Sequence, residues 1–159
     1  MAAPALTARV LPVGKYLGDG YSTKIAFSLD SDVSFWEKTV KPPGLDGGDE
    51  VDTTTMHNID FRTFLPRQLI TLTESTTRVA YDPNVYNNII SNLLNREGSV
   101  THHFPDGSTL SYYGYLKTFE PADCVEGEQP EADISIVCTN WDPSADVEAA
   151  PVLTSVAGT

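Results

Sequence analysis

DPNVYNNIISNLLNREG, residues 82–98, runs directly into SVTHHFPDGSTLSYYGYLKTF, residues 99–119, and this junction decides the fold. Asp82 suits an N-cap, and Pro83 suits the first helical position, where its missing N–H costs nothing and its fixed φ already fits. Val85, Tyr86, Ile89, Ile90, Leu93 and Leu94 recur at helical spacing, which gathers them into one apolar stripe. The other face carries Asn84, Asn87, Asn88, Ser91, Asn92 and Asn95, only moderate helix formers, so the helix depends on packing its stripe against a sheet. The pattern predicts a helix from Asp82 to Arg96, with Gly98 as the left-handed stop.

Working outward, Val100–Phe104 and Ser108–Phe119 flank Pro105-Asp106-Gly107, in which proline presets φ and glycine accepts a positive φ. This predicts a β-hairpin. Tyr112, Tyr113, Tyr115 and Phe119 favour strand, and Gly114 in mid-strand predicts a bulge or a close backbone approach. From Ala132 to Trp141 the chain alternates Ile134, Ile136 and Cys138 with Val137 and Trp141, which predicts a strand covered on both faces. Upstream, Ile25–Leu29, Val33–Lys38 and the Thr-rich Gln68–Tyr81 read as strands. The fold class expected is mainly β with one flanking α-helix, a β-sandwich or barrel-like domain.

At 159 residues the chain allows one domain. Residues 1–24 read as an N-terminal arm, 25–143 as the domain, and 144–159 as a C-terminal tail. Between about 40 and 66 lies a long irregular segment opened by Pro42-Pro43-Gly44 and Gly47-Gly48, with Val51–Met56 strand-prone. It carries Asp46, Asp49, Glu50 and Asp52 beside apolar Ile59, Phe61, Phe64 and Leu65. A connection of this length inside a compact domain is usually functional or disordered, and this one is too apolar to float free.

The formal charge of -12 argues against phosphate binding, which needs clustered Lys and Arg, and against attachment to anionic membranes. No Lys or Arg follows Lys117. Catalytic and metal signatures are weak. His102 and His103 are adjacent, so on a strand they point to opposite faces. Residues 46–52 have the carboxylates and glycines of a Ca²⁺ loop without EF-hand spacing. Ser108, His103 and Asp106 lack any nucleophile elbow. These readings predict neither an enzyme nor a cofactor. Cys124 and Cys138 could pair, but the absence of a leader-like apolar stretch favours reduced thiols.

The order of elements resembles a known family. Helix 82–96, Phe104-Pro105-Asp106-Gly107-Ser108, the aromatic strand with Gly114, an acidic loop, and a closing strand near Asn140-Trp141-Asp142-Pro143 together look like the major tail tube protein of long non-contractile-tailed bacteriophages. Val51-Asp52-Thr53-Thr54-Thr55 is similar to that family's loop motif. The resemblance covers about residues 25–143 and implies a virion structural protein, made and assembled in the bacterial cytoplasm, that forms hexameric rings stacked into a tail tube. DNA would pass through the channel without specific binding. Further partners implied are a tail-tip initiator, a tape measure protein and a tail terminator.

On that reading the inter-ring contact falls to Asp46, Asp49, Glu50, Val51, Asp52, Phe61, Phe64 and Leu65, and a repulsive, negatively charged lumen to Glu37, Asp52 and Glu74. Two alternatives stand beside it. One is the tube protein of a contractile tail or secretion system. The other is a stand-alone carbohydrate- or receptor-binding β-sandwich using Tyr112, Tyr113 and Tyr115 as an exposed platform.

Overall fold

Period-2 alternation of buried and exposed residues builds one antiparallel sheet of seven strands. The computed structural model describes residues 23–30 and 35–155. The strands of the main sheet are β1 (Lys24–Phe27), β2 (Trp36–Lys41), β7 (Ser75–Ala80), β8 (Gly98–His103), β9 (Thr109–Pro121), β10 (Glu131–Cys138) and β13 (Val152–Thr154). In space they run β1-β8-β9-β10-β7-β2, with β13 paired to the start of β9. The two ends of this order come together. The Ile25 amide of β1 donates to the Glu37 carboxylate of β2 at 3.0 Å, so the sheet curls toward a barrel.

The core fills the concave side of that curl. Val79, Val100, Leu116, Ala132, Ile134 and Ile136 point inward from four strands, and Ile89 and Leu93 close it from the helical segment. The fold class is therefore mainly β with one flanking helix, as the sequence predicts.

The helical segment differs from the expected one. α1 spans only Pro83–Asn88, and Ile89–Leu93 continues as a π-turn in which the Leu94 amide donates to the Ile89 carbonyl at 2.9 Å. The wider turn brings both Ile89 and Leu93 inward. It also brings Leu94 beside Leu116, where the chain forms a parallel bridge to β9. The left-handed stop is Asn95, at φ 58°, whose amide donates to the Leu116 carbonyl. Gly98 is not that stop; it opens β8 with its Cα against Leu29.

The hairpin is as predicted: β8 and β9 flank a turn in which Gly107 has φ 87° and Asp106 accepts from the amide and hydroxyl of Ser108. Gly114 is a close approach, since a Cβ there would lie 2.3 Å from the Val137 carbonyl oxygen. The β-bulge lies elsewhere. The β9–β10 register passes from Thr118 to Leu116 while β10 advances one residue, which leaves Lys117 as the extra residue.

The strand expected over 68–81 is broken at Thr73-Glu74, and the one expected over 132–141 stops at Cys138 and is buried on one face only, with Asp133 exposed on the other, rather than covered on both. Trp141 then starts β11 (Trp141–Asp142), paired with β12 (Val147–Glu148). The stretch read as a C-terminal tail from residue 144 therefore contains β12, as well as β13 on the main sheet. The expected N-terminal arm lies outside the described residues up to residue 22.

Candidate assembly surfaces

Between β2 and β7 the chain leaves the sheet as a long two-stranded arm and returns. Its ladder has two rungs, β3 (Leu45–Asp46) with β6 (Thr71–Leu72) and β4 (Val51–Asp52) with β5 (Phe64–Leu65). The segment expected over 40–66 thus extends on its return side to Thr73. At the root, the Gly44 amide donates to Thr73 Oγ1 at 2.8 Å and the Thr73 amide returns to the Gly44 carbonyl at 2.9 Å. The Ser75 hydroxyl, fully buried, donates to the Lys41 carbonyl at 2.8 Å.

Farther out, Asp46 accepts from the Gly48 amide, and Arg67 Nε donates to the Asp49 carbonyl. At the tip Asp52 accepts from the Thr54 amide, Thr63 donates to the Thr54 hydroxyl, and Asn58 bonds both the Thr55 amide and the Phe61 carbonyl. These Asx-type bonds fix the backbone locally.

Beyond its root, the arm's shape rests mainly on hydrogen bonds. Its apolar side chains point to solvent: Met56 is 102% exposed, Ile59 93%, Leu69 85% and Phe61 83%. Large apolar side chains this exposed are a feature of surfaces that bind other molecules. All eight residues assigned to the inter-ring contact sit on this arm: Asp46, Asp49, Glu50, Val51, Asp52, Phe61, Phe64 and Leu65. Leu69 and Ile70 on the returning limb are exposed as well; they are absent from that set because Gln68–Tyr81 reads in sequence as one continuous body strand.

The three lumen candidates are scattered. Glu37 is half-buried at the barrel seam, holding the Ile25 amide. Asp52 is on the arm, 3.7 Å from Arg62 NH1, and its hydrogen bonds from Thr54 hold its carboxyl below the usual carboxylate range. Glu74 alone lies on the convex face of the main sheet, where it accepts from Lys117 Nζ and the Ser135 hydroxyl, each at 2.9 Å.

That convex face carries an ion-pair ladder that the sequence reading missed. Lys38 of β2 meets Glu131 of β10 at 2.8 Å. Arg78 of β7 meets Asp133 at 2.9 Å and Glu131 at 3.4 Å. The signal was the alternation itself, since Arg78 and Asp133 sit between buried neighbours on strands of period two.

The histidines split as predicted, His102 buried and His103 exposed. His102 Nε2 lies 2.8 Å from the Tyr112 hydroxyl, and the rings stack at 5.5 Å. Tyr112 is therefore core, which corrects the expected aromatic platform. Tyr113 donates its hydroxyl to Asp142. Cys124 and Cys138 are separate free thiols; burial pushes the Cys138 thiol up to about 11. Among the described residues no group of three His, Cys, Asp or Glu side chains is placed to hold a metal.

No protein-family model matches the sequence, and no curated protein does. Solved structures match the fold. A chain from the virion of a native gene transfer agent particle superposes with a TM-score of 0.57 at 9% identity, covering 87% of this chain and 99% of that one. One from the tail of an empty gene transfer agent particle, refined with C6 symmetry, gives 0.54 at 9% identity over 88% and 99%. One from the six-fold symmetrised baseplate of an anti-feeding prophage gives 0.56 at 6% identity over 85% and 92%. The chain thus has a phage-tail-type fold.

Proposed function

We propose that this chain is a non-enzymatic structural subunit of a phage-type tail, assembling as hexameric rings that stack into a tube for genome delivery. The observation that carries the reading is the arm. Its ordered ladder presents apolar side chains outward from a body whose own core is complete, and a head-to-tail contact of that kind propagates rings and stacks. The six-fold particles that share the fold support the stoichiometry. Residence in the virion, and contact with a tail-tip initiator, a tape measure protein and a terminator, belong to the same proposal. A tube of the contractile or secretion type is the neighbouring reading.

The test is electron microscopy of the purified protein, concentrated with and without a tail-tip seed. Stacked rings with a central channel are expected. Monomers that persist even when seeded would overturn the proposal.

A further inference from the structure

The convex face of β2, β7, β10 and the second half of β9 is an uncommon surface. Register places Thr39, Lys41, Thr76, Arg78, Asp133, Ser135, Thr118 and Glu120 on it together. Thr76, Arg78, Asp133 and Thr118 are all exposed. Apart from Trp36 near the seam, it offers little for apolar docking. Most of its charges are matched across strands: Lys38 with Glu131, Arg78 with Asp133 and Glu131, Lys117 with Glu74, while the Glu120 carboxylate is in no ion pair among the described residues. The hydrogen bonds from Lys38, Arg78 and Lys117 hold the Glu131, Asp133 and Glu74 carboxyls below the usual range. Lys41, at the root of the arm, is the cation of this face with no ion pair among the described residues.

Tight binding of a polyphosphate needs cations free to replace its condensed counterions. A lysine already held by a carboxylate has lost that capacity, because a phosphate approaching it meets the carboxylate as well. Within each pair the opposite charges are 2.8–3.4 Å apart, well inside the screening length of about 8 Å at physiological salt. An approaching polyanion therefore meets a field close to neutral.

We propose that this ion-paired face lines the channel, and that it is non-adhesive to duplex DNA because its cations are matched rather than because it is acidic. The assignment rests on the tube reading. It replaces a lumen of bare carboxylates at Glu37 and Asp52 and keeps Glu74 as one member of the ladder.

Two measurements test it on the full chain. In a background with Cys124→Ser and Cys138→Ser, a thiol is placed on the face by Thr76→Cys, or by Thr118→Cys should the first variant fold poorly. Free subunits of either should react with a small maleimide and with a bulky polyethylene-glycol maleimide. In assembled tubes, reaction with the small reagent should persist and reaction with the bulky one should be lost. Reaction with both would put the face outside the tube, and loss of both would put it between subunits; either overturns the assignment while leaving the tube intact. Absence of tubes overturns the tube reading and this assignment with it.

The second measurement is retention of a short fluorescent DNA duplex by sedimented tubes. Wild-type tubes should retain none, whereas Glu74→Gln with Glu131→Gln, which releases Lys117 and Lys38, should retain it and release it on adding salt. Variant tubes that shed the duplex as the wild type does would overturn the pairing mechanism.

Discussion

The body and the arm are built from the same kinds of residue, yet they dispose of apolar side chains in opposite ways. In the body, Val79, Leu116 and Ile136 are at most 1% exposed; in the arm, Ile59, Phe61 and Leu69 are at least 83% exposed. Both regions use antiparallel ladders, so secondary structure does not separate them. Burial does. The body gains its folding free energy by removing apolar surface from water, whereas the arm holds its shape with backbone and Asx-type hydrogen bonds and forgoes that gain within the subunit. On the proposed function, folding and assembly are thereby assigned to different residues.

The largest expected effect is in the body. Leu116→Ala and Ile136→Ala each leave a cavity between the sheet and the helical segment, and each should cost about 2–5 kcal/mol. Chemical denaturation of the free subunit measures this as a lower midpoint at unchanged slope. A loss under about 1 kcal/mol would mean that the body lacks a close-packed core, and the contrast with the arm would collapse.

Next comes acid. Burial lowers the His102 pKa from 6.5 to about 4 in the folded chain, with the nearby His103 adding a smaller effect. The unfolded chain therefore binds a proton at higher pH than the folded one. Stability is whole above pH 6.5, declines as pH falls toward 4, and the full loss from this group is about 3 kcal/mol. His102→Gln should flatten the wild-type slope between pH 6.5 and 5, where ordinary carboxylates are still ionised. An unchanged slope would show that another group carries the acid sensitivity. The arm, which has no comparable buried histidine among its described residues, should contribute nothing to it.

How far these regions were legible in the sequence follows from the range of the forces involved. The hairpin at Phe104–Ser108 and the buried alternation around Ile134 were readable because turn chemistry and period-two burial are local. The end of the helix was not. Asn95 takes the left-handed stop because Leu116 offers a carbonyl to its amide and Leu94 bridges to β9, contacts over 20 residues away that outweigh the local preference for Gly98. The arm's existence was readable from Pro42 to Gly48, and its apolar tip from Ile59 to Leu65. Its return strand was hidden, since Leu69, Ile70 and Leu72 look like any buried strand until register sets Leu72 against Leu45. The ion pairs were hidden for the same reason: Lys38 and Glu131 are 93 residues apart and meet only through β7 between them.

A smaller effect sharpens the seam between strands. Gly114→Ala would drive a Cβ to 2.3 Å from the Val137 carbonyl, so β9 must shift away from β10 beside the His102–Tyr112 pair. Overpacking of this kind typically costs about 1–3 kcal/mol. Retained stability in a thermal melt would show that the two strands separate more easily than their register implies.

The smallest effect on folding should be in the arm, and it is the most decisive for the comparison. Phe61→Ser and Leu69→Ser remove side chains that touch almost nothing in the subunit, so each should change stability by no more than about 0.5 kcal/mol. Replacing residues 47–70 with an Asn-Gly turn is the stronger version. Asp46 and Thr71 are already a cross-strand pair, and a two-residue turn of that type can join them while the Gly44–Thr73 clamp stays in place. The shortened subunit should melt like the wild type and fail to extend tubes when seeded. If it instead unfolds, the arm contributes to the body's core and the division between folding and assembly is wrong. If it extends tubes normally, the exposed apolar side chains of the arm serve some contact other than the one that propagates the tail.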